Sequence, residues 1–219
     1  MINRAPPFVK HAFLTERAAF FGEAHVFMPH HFFAYMSRMK HIKRWALMRN
    51  TWQEDIAQHS LQVAMIAHAL AVLRNERFGG GANPERAMAL AVYHEAPEVI
   101  TGDLATPIKY FNPGIRSAYK EIEEIAASKL HSMLPDDLRP AYDHLLLDPE
   151  SDPEWRRVKA ADKLSAYIKC IEELNAGNRE FSKAADSIRR EIDGYDLPEV
   201  QAFLTEFLPS FSLTMDELN

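Results

Sequence analysis

Apolar positions along this chain recur every three or four residues and hardly ever alternate, the mark of helices that bury one face. From His30 onward Phe32, Phe33, Tyr35, Met36, Met39 and Ile42 keep that period. Asp55 is placed to cap a long helix from about Ile56 to Arg77, with Leu61, Ala64, Met65, Ala67, His68, Ala71 and Val72 as its apolar stripe. Phe78-Gly79-Gly80-Gly81 stops it. Asn83-Pro84-Glu85 starts the next helix with an N-cap residue, a first-turn proline and an acid at the positive end of the dipole. That helix runs to about Glu95, where Pro97 ends it or begins a new short turn. Gly102-Asp103 and Pro107 mark a loop. A helix over 113–131 puts Ile115, Tyr119, Ile122, Ile125, Ala126 and Leu130 on one side, and Pro135 opens a short one through Leu147. Asp152-Pro153-Glu154 starts a long helix to about Asn175, with Val158, Ala161, Leu164, Ile168, Ile171 and Leu174 in register. Amphipathic segments over roughly 180–193 and 197–208 close the chain, with Gly194 between them. Runs of Val, Ile and Thr are absent, so strands have almost no support. The prediction is an all-α fold, a compact bundle of about seven to ten helices. Residues 1–29, rich in Phe and Ala and bracketed by prolines, stand apart as an N-terminal extension, either a docked helix or a partly ordered arm; 30–219 form the main domain.

Composition narrows the class. With 219 residues, 47% of them hydrophobic and 26% charged, the chain is long enough for one well-buried core and is not disordered. A formal charge of −6 argues against a nucleic-acid polymer as partner, yet leaves room for a small anion where cations cluster locally. The single cysteine, Cys170, excludes an intrachain disulfide and fits a reducing cytoplasm. No uninterrupted apolar run reaches the ~18–20 residues of a membrane span, so a soluble, cytoplasmic protein with no membrane partner is expected.

The chemistry concentrates after Met88, Leu90, Ala91 and Val92, an apolar run that leads straight into His94 and Glu95, with Glu98 and Asp103 close behind. An imidazole and several carboxylates behind such a run are costly to bury unless a cation compensates them, and a divalent metal fits. The His-Glu-x-x-His pattern of zinc proteases is not met, because position 98 is Glu and Pro97 interrupts the turn. Partners must come from elsewhere, and two polar residues on apolar helix faces qualify: His59 and Asp162. Each alone reads as plainly structural, His59 as a hydrogen-bonded histidine and Asp162 as a partner of Lys159 or Lys163. Together with His94 and Glu95 they make a nitrogen and oxygen donor set from three helices. Upstream, Arg38, Lys40, Lys43, Arg44 and Arg49 form a basic run around Trp45, either a solvated face and a core tryptophan or a site for an anion.

These residues resemble a known family. The strings Ser37-Arg-Met-Lys…Arg44-Trp45-x-Leu-Met-Arg-Asn50, His59-Ser-Leu-Gln-Val-Ala-Met, Tyr93-His94…Glu98-Val…Thr101-Gly-Asp103-Leu…Thr106-Pro-x-Lys-Tyr-Phe, Lys159-x-Ala-Asp162 and Tyr167-x-Lys-Cys-x-Glu-Glu-Leu are similar to those of the HD-domain metal-dependent phosphohydrolases, in particular the bacterial YfbR-type 5′-deoxynucleotidases. The resemblance spans about residue 30 to the C-terminus and implies an HD-domain helical bundle. It implies that His59, His94, Glu95 and Asp162 hold one divalent cation, such as Co²⁺ or Mn²⁺. It further implies that Glu98 orients or deprotonates water and Arg44 binds phosphate, with Trp45, Asp103, Leu104, Ala105 and Thr106 contacting the nucleoside beside Glu95 and Asp162. The implied reaction is hydrolysis of a deoxyribonucleoside 5′-monophosphate by a homodimer. Glu95 stands where the family carries Asp, which keeps the charge but reaches about 1.5 Å further. That departure leaves two alternatives open: a nucleotide-binding or regulatory HD-domain protein with a weakened or lost catalytic site, and an HD phosphohydrolase acting on another nucleotide.

Overall fold

The computed structural model describes residues 29–109 and 111–218; the expected N-terminal extension lies outside these apart from Pro29. Ten α-helices form among the described residues, and the only extended pairing there is an isolated bridge between Lys43 and Asp55. Short α1 (Phe32–Met36) is followed by a 3-10 turn, where one helix through Ile42 was expected. The 22-residue α2 (Ile56–Arg77) starts as its sequence dictates: Asp55 Oδ1 accepts from the N–H groups of Ala57 and Gln58 at 3.1 and 3.0 Å. Asn83 caps α3 (Pro84–Tyr93) in the same way, accepting from Arg86 N at 2.9 Å.

Around Pro97 the chain resolves the alternative that its sequence left open. α3 ends at Tyr93, His94 is its C-cap, and Pro97 becomes the N-cap of one-turn α4 (Glu98–Thr101). Proline has no N–H to donate and its ring collides with the carbonyl four residues back, so the helix cannot continue through it. His94 and Glu95 therefore sit in a turn rather than within a helix. Beyond short α5 (Thr106–Lys109) come α6 (Pro113–Ser132), α7 (Arg139–Leu146), α8 (Trp155–Asn175), α9 (Ser182–Asp193) and α10 (Pro198–Glu206). α7 begins four residues later than the Pro135 signal predicts; the chain first makes a turn in which Pro135 O accepts from Leu138 N and Arg139 N.

The core is built by α2, α3, α8 and α10: Val63, Ala67, Leu70 and Ala71 pack with Leu90, Ala91, Val158, Ala161, Leu164, Ile168 and Val200, all fully buried. Each of the larger aliphatics contributes roughly 1.5–3 kcal/mol by leaving water, and the alanines among them let α2, α3 and α8 approach closely. The predicted stripe of α2 needs correction, since Leu61 and Met65 are 61% and 58% exposed and Val72 also reaches solvent. A helix apolar on nearly every side carries little directional signal, and here the neighbouring helices take the face through His59, Val63, Ile66 and Leu70. Ile122 and Ile125 of α6 are likewise exposed, while Ala126, Ala127 and Leu130 turn inward. By length and composition α2 is also apolar enough to cross a membrane, but it serves here as the central helix of the core.

Candidate metal centre

The segment between α1 and α2 returns on itself before α2 begins. Ile56 N donates to Ile42 O at 3.0 Å and Arg44 N to Glu54 O at 3.1 Å, closing the neck of a loop with Arg44 beside Glu54. Further out, Asn50 Nδ2 donates to the carbonyls of Trp45 and Met48, and Trp45 adopts a left-handed φ of 58°, rare for a bulky side chain. Its ring packs on Phe181 with centroids 5.3 Å apart and its Nε1 donates to Glu54 Oε2 at 2.9 Å, contacts that hold the strained residue. The far side of the loop is fixed to α8 through Glu173, which accepts from the backbone of Thr51 and Trp52 and pairs with Lys169.

Next to that neck, His59 from α2, His94 and Glu95 from the turn after α3, and Asp162 from α8 each offer one ligand atom, and these four atoms lie within 4.8 Å of one another. All four residues expected to converge do so. Their second contacts decide what they present. His94 Nδ1 is 2.7 Å from Ala91 O, so it carries the hydrogen and Nε2 keeps the lone pair. Ser165 Oγ donates to Gln62 Oε1 at 2.6 Å, and so accepts from His59 Nδ1 at 3.0 Å, leaving the lone pair of His59 on Nε2 as well. His59 Nε2 then faces Asp162 Oδ1 at 3.1 Å and Glu95 Oε1 at 3.5 Å, acceptor against acceptor. His94 Nε2 and Glu95 Oε2 are buried without a hydrogen-bond partner among the described residues. Buried lone pairs that converge without donors fit a cation, and a two-nitrogen, two-carboxylate set suits a borderline divalent ion.

Charge balance agrees. Burial pushes His94 below the usual imidazole pKa, against the upward pull of Glu95 and Asp162, which favours the neutral form. Burial works to raise Glu95, but Arg44 outweighs it and keeps the carboxylate ionised. Asp162 is held well below its ordinary value in the same manner, burial being overcome by Lys159, whose Nζ lies 3.2 Å from Oδ2. Arg44 donates from Nη1 to Glu95 Oε1 at 2.5 Å and from Nε to Glu54 Oε2 at 3.2 Å.

Glu98, at the start of α4, is buried with Oε2 unpartnered among the described residues; burial first, then Glu95 and Asp103, raise it well above the ordinary carboxylate range. Asp103 lies partly buried in the loop between α4 and α5, raised by burial with Arg44 opposing. Tyr119 of α6 anchors that loop, its hydroxyl donating to Gly102 O at 3.0 Å. Leu104 and Ala105 follow, half-buried, and the side chain of Thr106 lies outside the described residues. Sequence reasoning missed Glu54, Ser165 and Tyr119, whereas the pairing of Asp162 with Lys159 that it weighed is present at 3.2 Å. Lys159 stands one helical turn before Asp162, a spacing that was available; Glu54 reaches Arg44 only through loop closure and leaves no local signal.

An all-helical bundle that gathers two imidazoles and two carboxylates from three parts of the chain matches the HD-domain phosphohydrolases. The HD-domain phosphohydrolase lin2634 of Listeria innocua superposes with a TM-score of 0.74 at 26% identity, covering 83% of this chain and 88% of its own. The cyanophage S-2L HD phosphohydrolase DatZ, solved bound to dA and one catalytic Zn²⁺, shares the fold with a TM-score of 0.54 at 18% identity, over 82% of this chain and 95% of its own. The 5′-deoxynucleotidase of Erwinia tasmaniensis is 52% identical over 190 residues, 86% of this chain and 96% of that protein. Residues 31–211 match the family model for 5′-deoxynucleotidase YfbR-like proteins, and the chain belongs to that family.

Proposed function

We propose that the protein is a metal-dependent phosphomonoesterase that converts deoxyribonucleoside 5′-monophosphates to deoxynucleoside and phosphate. The observation that carries this reading is the convergence of His59, His94, Glu95 and Asp162 with their lone pairs facing one another. Those four residues would hold a divalent cation, Co²⁺, Mn²⁺ or a similar ion, which would supply Lewis-acid activation of water and of the phosphoryl group.

The remaining roles belong to the chain. Without a cation, Arg44 pairs through Nε with Glu54 and through Nη1 with Glu95 while Nη2 stays available, and toward the phosphate this guanidinium offsets the charge that grows in phosphoryl transfer. Glu98, with an unpartnered buried oxygen, orients the attacking water and takes its proton as the new P–O bond forms; as the bond to the 5′-oxygen breaks, that oxygen takes up a proton from Glu98 or solvent and leaves as the hydroxyl. Asp103 accepts from the sugar 3′-hydroxyl, with Leu104, Ala105 and Thr106 continuing that wall. Trp45, backed by Phe181, offers its remaining face to sugar or base and keeps Glu54 under Arg44. The proposal extends to a cytoplasmic homodimer, in keeping with one reduced cysteine and the exposed Leu61 and Met65.

The experiment is release of phosphate from several deoxyribonucleoside 5′-monophosphates and their ribonucleotide counterparts, with Co²⁺, Mn²⁺ or Mg²⁺ supplied. Turnover of the deoxy compounds in preference to the ribo compounds is expected. No turnover of any monophosphate with any of the metals would overturn the proposal and leave a nucleotide-binding protein with a lost site.

A further inference from the structure

Glu95 is claimed from two sides. Its Oε1 accepts from Arg44 Nη1 at 2.5 Å, yet the same oxygen lies 3.5 Å from His59 Nε2 and 3.7 Å from His94 Nε2. Oε2 has no hydrogen-bond partner among the described residues. One carboxylate thus serves as counter-charge to the guanidinium and as a member of the four-residue cluster. Asp162 is placed differently, for its second oxygen is held by Lys159 at 3.2 Å. The length of the glutamate side chain makes the shared contact possible. The substitution Glu95→Asp would draw the carboxylate back by about 1.5 Å. On an unmoved backbone that opens the contact with Arg44 from 2.5 Å to about 4 Å, beyond hydrogen-bonding distance.

We infer that Arg44 and the divalent cation compete for Glu95, so that the guanidinium holds the carboxylate while the site is empty and is released toward an oxyanion once Glu95 turns to the cation. The inference rests on the reading of the cluster as a metal site. It makes Glu95 the link between the cation and the phosphate-binding arginine, and it assigns Arg44 a cost in cation affinity that passes through one particular contact. General repulsion between a guanidinium and a cation would instead persist whichever carboxylate occupied position 95.

A double-mutant cycle separates the two. Mn²⁺ affinity of the metal-stripped protein is measured by calorimetry for wild type, Arg44→Met, Glu95→Asp and the double variant, with circular dichroism to establish folding. Arg44→Met is expected to tighten Mn²⁺ roughly tenfold when position 95 is the native glutamate, and only about two- to threefold when it is combined with Glu95→Asp. Arg44→Gln, which retains polarity in the loop neck, should show the same order and replaces Arg44→Met if that variant does not fold. An equal change in both backgrounds, or a loss of affinity on removing Arg44, overturns the competition while leaving the metal site standing. Failure of the wild type to bind Mn²⁺ at all overturns the metal-site reading and this inference with it.

Discussion

Glu173→Gln should cost about 3 kcal/mol of stability at neutral pH, and the cost should shrink on acidification. Glu173 is 1% exposed and accepts from Thr51 N at 2.9 Å, Thr51 Oγ1 at 2.7 Å, Trp52 N at 3.2 Å and Asn178 Nδ2 at 2.8 Å, besides pairing with Lys169. Burial alone would raise its pKa; the donors from Lys169, Thr51 and Asn178 outweigh that and hold it at about 2, against an ordinary 4.5. At roughly 1.4 kcal/mol per unit this difference corresponds to about 3 kcal/mol. Because the folded-state value is the lower one, the contribution is fully present above pH 4.5 and is lost as pH falls through about 2. By the same linkage about 2 kcal/mol remains at pH 3.5. Urea unfolding of wild type and Glu173→Gln, both stripped of metal, measures the gap at pH 7, 5 and 3.5. It should be constant over the first interval and narrow by about 1 kcal/mol over the second. A gap that does not change between pH 7 and pH 3.5 would refute the carboxylate charge as the source.

Ser165→Ala removes the acceptor that keeps the His59 hydrogen on Nδ1, and should weaken cation binding about 10- to 100-fold in calorimetry, as loss of a ligand's orienting partner generally does. Glu98→Gln should lower kcat by about 10²–10⁴ while leaving one cation per chain, read from steady-state kinetics beside metal analysis.

The local physics was legible wherever a signal sits within one turn. Asp55 and Asn83 each cap the helix expected of them, because an N-cap bond spans two or three residues. The four cluster residues were legible for a related reason: a lone imidazole or carboxylate in an apolar run is expensive and must be compensated. What escaped depends on tertiary neighbours. Which side of α2 is buried is set by the helices packed around it, so Leu61 and Met65 looked internal and are exposed. The basic run read as one patch, but the fold disperses it: Lys43 goes to Asp55, Arg44 to Glu54 and Glu95, and Arg49 to Glu180. Trp45 had two readings, sugar-stacking and core, and its packing on Phe181 roots one face of the ring in the interior beside Arg44.

That four side chains share one ion is tested most directly by titrating metal-stripped protein with Co²⁺ while recording its visible absorption. Wild type should saturate at one equivalent with a spectrum of mixed nitrogen and oxygen ligation, and His94→Ala and Asp162→Ala should each lose that spectrum while remaining folded. Uptake of Co²⁺ by both variants with unchanged affinity and spectrum would contradict the shared site, because the ion would then lie elsewhere.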